Sequence, residues 1–312
     1  MKVLPSIAAL SEVPGPVVVA IGVFDGVHLG HQGLIRQAME KAAAINGTAV
    51  PLTFNPHPMR LLRPHAAPRL LTSTAHKVRL IESLGCSHLV LQSFDHEFAA
   101  QPPEAFIEAL VAAGKPLHMV CVGHNWGFGK GRAGNVPMLR KLGEKLGFET
   151  LEIEPVLVDG ELVSSTRIRG AIEEGDFDEA RRALGRDYTI LGTVVQGAGL
   201  GRKIGFPTMN LATHNEQFPP DGVYAVEALV GGESLRAVAN IGVRPTVEKQ
   251  GERLLEVHLI DYSRDCYGED VEIRFAGYLR GEKKFNGLSE LQEQIGRDVA
   301  EAGRRLTRPL PE

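Results

Sequence analysis

The sequence predicts an α/β protein of two domains: an N-terminal doubly wound parallel sheet, then a small antiparallel β-barrel with a C-terminal helix. Three observations predict it. The length of 312 residues suits about two domains of about 150 residues each. Apolar runs alternate with helical patterns up to Gly185, which is typical of βαβ units. From Tyr188 to Gly281, short β-rich runs separated by glycine- and proline-bearing turns favour a barrel. We place the domains at residues 1–185 and 186–312.

In the first domain, strands are predicted where apolar runs end at glycine or a turn, and helices where amphipathic runs end at glycine or asparagine. The predicted strands are 17–24, 48–54, 88–94 and 118–123, followed by an extended stretch over 148–163. The predicted helices are 32–45, 75–84, 103–113, 136–147, 167–174 and 176–185. Because ligands of doubly wound sheets bind at the carboxyl ends of the strands, site residues are expected in the loops that follow strands.

In the second domain, short β-rich runs predict the strands of the barrel. They cover residues 189–196, 222–230, 234–242, 253–262 and 270–280. The stretch from Glu290 to Leu306 has apolar residues at helical spacing and predicts a C-terminal helix. Ser289 and Gln292 have the spacing of a capping box, which predicts that the helix begins just after Ser289.

Composition limits the classes of partner. The net charge of −4 lacks the basic excess that non-specific nucleic-acid binding requires. No apolar run of about 18 residues predicts a membrane span, and the apolar stretch at the N-terminus is too short for a secretory signal. Cys86, Cys121 and Cys266 are few and far apart, which predicts buried, reduced thiols in a cytoplasmic protein. We therefore expect no nucleic-acid or membrane partner, and a homo-oligomer is left open.

The sharpest motif is G-V-F-D-G-V-H-L-G-H, from Gly22 to His31. It follows a predicted buried strand and opens a helix, where glycines and backbone N–H groups favour a phosphate. His28 and His31 are three residues apart and would share one face of the helix. Two imidazoles there can donate hydrogen bonds to phosphoryl oxygens that gain charge in a transition state. The alternative is a pair of solvent-exposed loop histidines.

A second signal lies later in the same domain, at Ser164-Ser165-Thr166-Arg167. Hydroxyl groups and N–H groups at a helix start, together with the Arg167 guanidinium, predict a triphosphate clamp. The alternative is an ordinary helix cap, because serine and threonine are common there. No G-x-x-x-x-G-K-[ST] sequence occurs, which excludes a P-loop.

The second domain has its own glycine-rich segment. Its four glycines are Gly197, Gly199, Gly201 and Gly205. Together with Arg202 and Lys203 they suit a loop over phosphates, the alternative being a glycine-rich hairpin. Thr208 and Asn210 would face the same side of an extended segment and offer two hard oxygen ligands to Mg²⁺. Glu256, in an alternating strand, is either a base at the barrel rim or a solvated side chain.

The first half resembles the FMN adenylyltransferase module of the nucleotidylyltransferase superfamily, which has a Rossmann-like fold. The resemblance rests on G-V-F-D-G-V-H-L-G-H-Q, F-N-P-H-P (54–58), F-D-H-E-F-A (94–99) and V-S-S-T-R-I-R (163–169). It implies electrostatic catalysis by His28, His31 and Arg167, without a protein nucleophile, because the FMN phosphate is already an anion. It implies flavin contacts around Asn55 and His57. The implied nucleotide contacts are Gly22, Phe24, Asp25, Asn125, Ser164, Ser165 and Thr166.

The second half resembles a riboflavin kinase module. The matching segments are G-R-K-I-G-F-P-T-M-N-L, D-G-V-Y-A-V, N-I-G-V-R-P-T (240–246), L-E-V-H-L-I-D-Y and the run from Tyr278 to Asp298. The resemblance implies Thr208 and Asn210 at a Mg²⁺–ATP site and Glu256 as the base for the ribityl 5′-hydroxyl, whose proton must be removed. It implies flavin contacts near Arg280 and Glu282. The nucleotide contacts predicted from the glycine-rich segment are Gly199, Gly201, Arg202 and Lys203.

Together, the halves resemble the prokaryotic bifunctional riboflavin kinase/FAD synthetases along nearly the whole chain. The resemblance implies phosphorylation of riboflavin to FMN and adenylylation of FMN to FAD, with ATP as co-substrate and Mg²⁺ as cofactor. Three alternatives stay open: a chain active in only one half, since Trp126 and Gly127 depart from the family pattern; a flavin-binding sensor; and an H-x-G-H aminoacyl-tRNA synthetase. The near-neutral net charge and the S-S-T-R sequence disfavour the last.

Overall fold

The computed structural model describes residues 1–197, 199–243, 253–262 and 264–306. The chain forms two compact units, Met1–Arg69 with Thr74–Ser165, and Leu70–Ser73 with Thr166–Glu312. The second unit thus begins before the predicted boundary at residue 186. It also takes up a short segment from within the first half of the sequence.

The first unit contains the following strands and helices. The strands are β1 Lys2–Leu4, β2 Val17–Ile21, β3 Thr48–Asn55, β4 His88–Ser93, β5 Leu117–Gly123, β6 Gly127–Phe128, β7 Gly134–Asn135, β8 Glu149–Ile153, β9 Leu157–Val158 and β10 Glu161–Leu162. The helices are α1 Leu29–Ala44, α2 Pro58–Leu62, α3 Thr74–Ser83, α4 His96–Ala99, α5 Pro103–Ala113 and α6 Val136–Leu146. Short 3₁₀ helices cover Ile7–Glu12, Pro64–Ala66 and Lys130–Arg132.

A parallel sheet with the order β1-β4-β3-β2-β5-β8 forms the centre of the first unit. Strand β2 is buried along its whole length. Val17, Val19 and Ile21 pack into the core on one face of the sheet, and Val18 and Ala20 into the core on the other. From β2 the chain continues through β3 and β4 to one side, and later through β5 and β8 to the other. The carboxyl ends of β2 and β5 therefore flank the position where such sheets bind ligands.

The strands and helices predicted for this unit are present, with differences at their ends, whereas β1, α2 and α4 were not predicted. Helix α5 has the predicted bounds. The predicted strand 17–24 ends instead at Ile21, because the following loop requires positive φ angles of 54° at Phe24 and 42° at Val27. Helix α1 begins at Leu29 instead of residue 32, so His31 lies in its first turn.

The second unit is built on a barrel with the order β11-β12-β15-β14-β13-β16, closed by pairing of β16 with β11, and every neighbouring pair is antiparallel. Its strands are β11 Thr189–Val195, β12 Met209–Thr213, β13 Gly222–Val230, β14 Glu233–Val243, β15 Arg253–Leu259 and β16 Asp270–Arg280. Its helices are α7 Ser165–Glu174, α8 Phe177–Leu184, α9 Leu200–Lys203 and α10 Leu288–Leu306. This confirms the predicted fold class, a parallel-sheet α/β unit followed by an antiparallel barrel with a C-terminal helix.

The predicted capping box at the start of the C-terminal helix is wrong. Helix α10 already begins at Leu288, so Ser289 lies inside it. The Gln292 side chain donates instead to the backbone carbonyl of Ile204, at 3.1 Å. The helix packs against β13, β14 and β16 and buries Asp298 and Ala302.

Candidate active sites

The loop between β2 and α1 is fixed by side chains that donate hydrogen bonds to its carbonyl oxygens. The pairs are Thr53 Oγ1 to Val23 (2.9 Å), Lys77 Nζ to Val23 (2.9 Å), Ser165 Oγ to Asp25 (2.9 Å) and Gln32 Nε2 to Val27 (3.0 Å). These donors come from four separate elements. The predicted glycine-rich motif and Ser165 of the second motif are therefore in direct contact.

Phe24 and Gly22 shape this loop from within. Phe24 is fully buried, and its ring meets the ring of His31 edge to face, with centroids 5.3 Å apart. A Cβ atom on Gly22 would come within 2.5 Å of the Phe24 ring, so only glycine allows the ring to fold back here. Because Phe24 and Val27 hold positive φ angles, each costs about 1–3 kcal/mol, which the surrounding contacts must offset.

The two histidines of the motif lie together at the start of α1. Their rings stack with centroids 3.6 Å apart, and His28 is only 7% exposed, so the alternative of solvent-exposed loop histidines is wrong for His28. His28 caps the helix: its Nδ1 accepts from the backbone N–H of His31, at 3.4 Å. A neutral His28 therefore carries its proton on Nε2. A donor N–H and the positive end of a long helix are thus combined, which suits an anion.

His31 is uncharged at neutral pH. Its burial lowers the pKa well below the usual value, and the positive charges of His28 and Lys77 lower it further. Its Nδ1 is buried without a hydrogen-bond partner among the described residues. The uncharged His31 imidazole therefore lies stacked on His28 at the N-terminus of α1.

The loop after β5 carries the predicted nucleotide contact Asn125. Asn125 is exposed, and its backbone carbonyl accepts from Arg132 Nη2 at 3.1 Å. A Cβ on Gly127 would lie 2.9 Å from Nε of Arg132. Trp126 stacks on Phe128 with centroids 4.5 Å apart. The unusual Trp126-Gly127 pair therefore has a structural reason, since glycine makes room for Arg132 and tryptophan covers Phe128.

The carboxyl ends of β3 and β4 supply aromatic surface and two predicted flavin contacts. Rings contact one another in a continuous series, Phe94, Phe54, Phe98, Phe106, Trp126 and Phe128. Asn55 Oδ1 accepts from Thr74 Oγ1 at 3.0 Å, and His57 Nδ1 accepts from the N–H of Met59 at 3.1 Å, capping α2. Asn55 and His57 are thus held by hydrogen bonds at the carboxyl edge of the sheet, the edge at which sheets of this kind bind ligands.

The predicted clamp Ser164–Arg167 is divided between the two units. Ser164 and Ser165 belong to the first, and Thr166 and Arg167 to the second. Ser164 directly precedes α7. Within the second unit, Arg167 Nη2 forms an ion pair with Glu179 Oε1 at 2.6 Å. The contact of Arg167 with a triphosphate stays a prediction.

A cavity of about 440 Å³ lies in the barrel unit and contains predicted kinase residues. Thr208, Asn210 and Glu256 line it, and Asn210 is the register partner of Glu256 across β12 and β15. Apolar side chains make up much of the rest, namely Ile204, Phe206, Val223, Val238, Leu254, Phe285, Leu291 and Ile295. The cavity thus joins a carboxylate and two hard oxygen donors to a wall that suits a flat apolar ring.

Glycines set the positions of the two oxygen donors. A Cβ on Gly197 would come within 2.0 Å of Asn210 Nδ2. A Cβ on Gly201 would lie 2.3 Å from the Phe206 carbonyl and 3.2 Å from Thr208 Oγ1. Close approach, and not only a loose turn, therefore requires glycine here.

The remaining residues of the glycine-rich segment separate into two groups. Gly199 and Gly201 line the cavity. Arg202 and Lys203 lie on the short helix α9, are exposed, and are absent from the cavity lining among the described residues.

Arg280 and Glu282 line the same cavity. The guanidinium of Arg280 is bound by the buried carboxylate of Asp298, with Nε 3.0 Å from both carboxylate oxygens and Nη2 2.7 Å from Oδ2. A Cβ on Gly242 would come within 2.2 Å of Glu282 Oε1. The end of the quoted N-I-G-V-R-P-T segment, residues 244–246, lies outside the described residues.

Lys77 is a buried residue beside the first site that the sequence motifs missed. A signal was present, because Lys77 and Ile81 lie four residues apart on the side of α3 that packs inward. A lysine in an apolar stripe is unusual unless its charge has partners.

Models of two protein families match the chain in the predicted order. The FAD synthetase family matches residues 10–167, and the riboflavin kinase family matches residues 184–306. A bifunctional riboflavin kinase/FMN adenylyltransferase of Escherichia coli (strain K12) is 37% identical over 300 residues, which cover 96% of each chain. A protein of the same name from Bacillus subtilis (strain 168) is 39% identical over 290 residues, which cover 91% of each.

A solved structure described as a macrolide-efflux protein from Streptococcus pneumoniae has a TM-score of 0.82 at 29% identity. The match covers 97% of this chain and 99% of that one, so the two share their fold along nearly their whole lengths. Among the described residues, no helix combines the length and the apolar character needed to cross a membrane. With both family models matched and curated relatives similar end to end, the chain belongs to the family of bifunctional riboflavin kinase/FMN adenylyltransferases.

Proposed function

We propose that the family's two ATP-dependent reactions are divided between the two units. Residues of the barrel unit phosphorylate riboflavin to FMN, and residues at the parallel sheet join FMN to the AMP part of a second ATP, which releases pyrophosphate. One observation carries this proposal. Glu256 and the oxygen donors Thr208 and Asn210 share one largely apolar cavity within the region matched by the riboflavin kinase family.

The kinase site suits a divalent cation. Both families are ATP-dependent, and such enzymes generally use a divalent metal; the choice of Mg²⁺ is part of the proposal. The hydroxyl of Thr208 and the amide oxygen of Asn210 are hard donors, and Gly197 leaves Asn210 little freedom to move. These two residues would hold the ion, which would supply charge neutralisation to the phosphoryl group during transfer. Glu256 takes the proton of the ribityl 5′-hydroxyl, and the apolar wall holds the flavin ring beside Arg280 and Glu282.

At the sheet site, FMN brings its own nucleophile, because a phosphomonoester is largely dianionic above its second pKa of about 6. The protein therefore has to align the two phosphates and stabilise charge. The Nε2–H of His28, the neutral imidazole of His31 and the N-terminus of α1 face the α-phosphate in this proposal. Asn55, His57 and the aromatic series contact the flavin. The remaining nucleotide contacts are those of the two sequence motifs, Asn125, Ser164, Ser165, Thr166 and Arg167.

A cytoplasmic location is part of the proposal and rests on three free, buried cysteines. The acidic net charge supports small-molecule partners over nucleic acid. Oligomeric state is open to measurement by light scattering.

The experiment is a time course of flavin products separated by chromatography. One reaction starts from riboflavin, ATP and Mg²⁺, and a parallel one starts from FMN. We expect FMN first and FAD later in the first reaction, and FAD directly in the second. FMN alone would limit activity to the barrel unit, and FAD only from FMN would limit it to the sheet unit. Absence of product in both, with retained flavin binding, would support a flavin sensor.

A further inference from the structure

Lys77 is a buried cation that none of the steps proposed above uses. It lies on α3 and is 5% exposed. Its Nζ is 2.9 Å from the carbonyl oxygen of Val23 and 3.3 Å from Oγ1 of Thr53. Thr53, fully buried, donates to the same carbonyl. Burying an ammonium group costs several kcal/mol unless partners offset it. We therefore expect Lys77 to stabilise the backbone that it contacts at Val23.

That point is the start of the strained turn. The carbonyl of Val23 belongs to the planar peptide group that leads into Phe24, so a donor on this oxygen fixes the plane from which Phe24 departs. Phe24 and Val27 have φ angles of 54° and 42°, which persist only where their surroundings over-determine them. The Phe24 ring is in turn the edge-on neighbour of His31.

Two charged or titratable side chains interact electrostatically with Lys77: Asp25 in the loop and His31 at the start of α1. Burial lowers the pKa of Lys77 to about 8, and the Asp25 carboxylate opposes that shift. The ammonium form therefore predominates at pH 7. It loses its charge as the pH rises through about 8, well before an unfolded lysine would at about 10.4. The positive charge also lowers the pKa of His31 and keeps that imidazole neutral.

We propose that Lys77 is a positioning residue for FAD formation: its ammonium group holds the Val23 carbonyl and thereby keeps the Phe24–Val27 turn and the stacked His28–His31 pair in place. This inference rests on the proposed function of the sheet site. Lys77 touches neither substrate in it. Lys77 acts through the loop, so its loss misplaces the groups that stabilise the transition state more than those that bind the flavin.

The test compares Lys77→Met, which keeps the length of the side chain but removes the donor, with Lys77→Arg, which keeps the charge. Lys141→Met, at an exposed position on α6, is the matched control. For FAD formation from FMN, we expect kcat to fall by about 100-fold in Lys77→Met, with KM for FMN changed by less than about threefold. Lys77→Arg should recover part of kcat. The rate of FMN formation from riboflavin should stay unchanged in all three.

Two further readouts separate positioning from general stability. In the wild-type protein, kcat for FAD formation should fall as the pH rises through about 8. The same fall should be absent from FAD formation by Lys77→Arg and from the kinase reaction of the wild type. Hydrogen exchange should be faster in Lys77→Met at the amides of residues 22–31 than in the wild type, with α5 and α6 unchanged.

The inference is overturned if Lys77→Met keeps kcat within about threefold of the wild type from pH 7 to about 9. If Lys77→Met does not fold, the wild-type pH profile decides, and a kcat that stays level to about pH 9 overturns it. If the wild-type protein makes no FAD from FMN, the proposed function fails instead. Hydrogen exchange then tests only whether Lys77 restrains the loop. Equal exchange rates at the amides of residues 22–31 in the wild type and Lys77→Met would overturn that restraint.

Discussion

Glu256 and His28 meet opposite chemical demands. A hydroxyl nucleophile carries a proton that must leave, so a carboxylate within the cavity is useful in the kinase reaction. A phosphate nucleophile needs no base, so in the proposed mechanism the imidazole of His28 contributes an N–H donor instead. The surroundings agree with this division. Glu256 lies opposite an oxygen donor, Asn210, whereas His28 caps a helix whose positive end favours anions.

Replacing Glu256 tests this division. Glu256→Gln keeps the size of the side chain but removes the base, so kcat for FMN formation should fall by about 10²–10⁴-fold. FAD formation from added FMN should continue at the wild-type rate. Glu233→Gln, at an exposed site in the same barrel, is the control. Chromatographic rates with each flavin measure both reactions, and loss of both activities in a folded Glu256→Gln protein would contradict independent sites.

A change at Gly197 tests the position of Asn210 without altering its chemistry. In Gly197→Ala, the added methyl group would require Asn210 to move, because its Nδ2 lies 2.0 Å from the Cβ position. A displacement of about 1 Å at a catalytic ligand costs about 100-fold in rate, so we expect that loss in the kinase reaction. Gly287→Ala, where nothing lies within 4 Å of the Cβ, is the control. A kinase rate equal to that of the control, measured at saturating Mg²⁺, would refute the role of Asn210.

At the scale of elements, the pair of Arg280 and Asp298 ties β16 to α10. Asp298 is 6% exposed and also accepts from Gln294 Nε2 at 2.9 Å. Asp298→Asn would leave the Arg280 guanidinium without its charge partner beside the cavity. Breaking such a buried pair should lower the free energy of unfolding by about 2–3 kcal/mol and raise KM for riboflavin.

Denaturant unfolding and kinase kinetics measure these two effects. Glu301→Gln, which removes an exposed carboxylate paired with Arg304 and Arg305 on α10, should lower the free energy of unfolding far less. Equal losses in the two variants would show that the Arg280–Asp298 pair does not hold the helix.

Periodicity predicted the longer elements, because the burial of β2 and the apolar residues of α5 recur at regular spacing in the sequence. The short elements β1, β12, α2 and α4 were not predicted. The motifs also predicted that His28 and His31 would share one face and that Thr208 and Asn210 would be neighbours. The positive φ angles at Phe24 and Val27 could not be predicted, since they are stabilised by donors distant in sequence, Lys77 and Ser165 among them. The start of α10 was missed for the same reason, because Gln292 bonds to Ile204 and not to its own helix end.

At the scale of the whole molecule, the chain passes between its two compact units at residues 69/70, 73/74 and 165/166. The segment 70–73 is bound within the second unit, where the Leu71 carbonyl accepts from Asn215 Nδ2 at 2.6 Å. The sequence pattern changes near residue 186. The second compact unit nevertheless includes α8 and all of α7 after Ser165. The sequence pattern and the packing therefore differ here, because α8 follows the α/β pattern in sequence while its Phe177 ring packs on Tyr224 and Phe275 of the barrel.

This difference makes a prediction about fragments of the barrel unit. Phe177, on α8, stacks on Phe275 at 5.5 Å and meets the edge of Tyr224 at 5.8 Å, and both partners are at most 1% exposed. A fragment of residues 186–312 lacks both helices and would expose these rings, whereas residues 164–312 retain the cover. Each large side chain exposed costs about 1.5–3 kcal/mol, so the shorter fragment should unfold at a temperature lower by about 10 °C or more. Both fragments lack residues 70–73, so that loss is matched. Scanning calorimetry measures the difference, and equal unfolding temperatures would show that α7 and α8 do not stabilise the barrel.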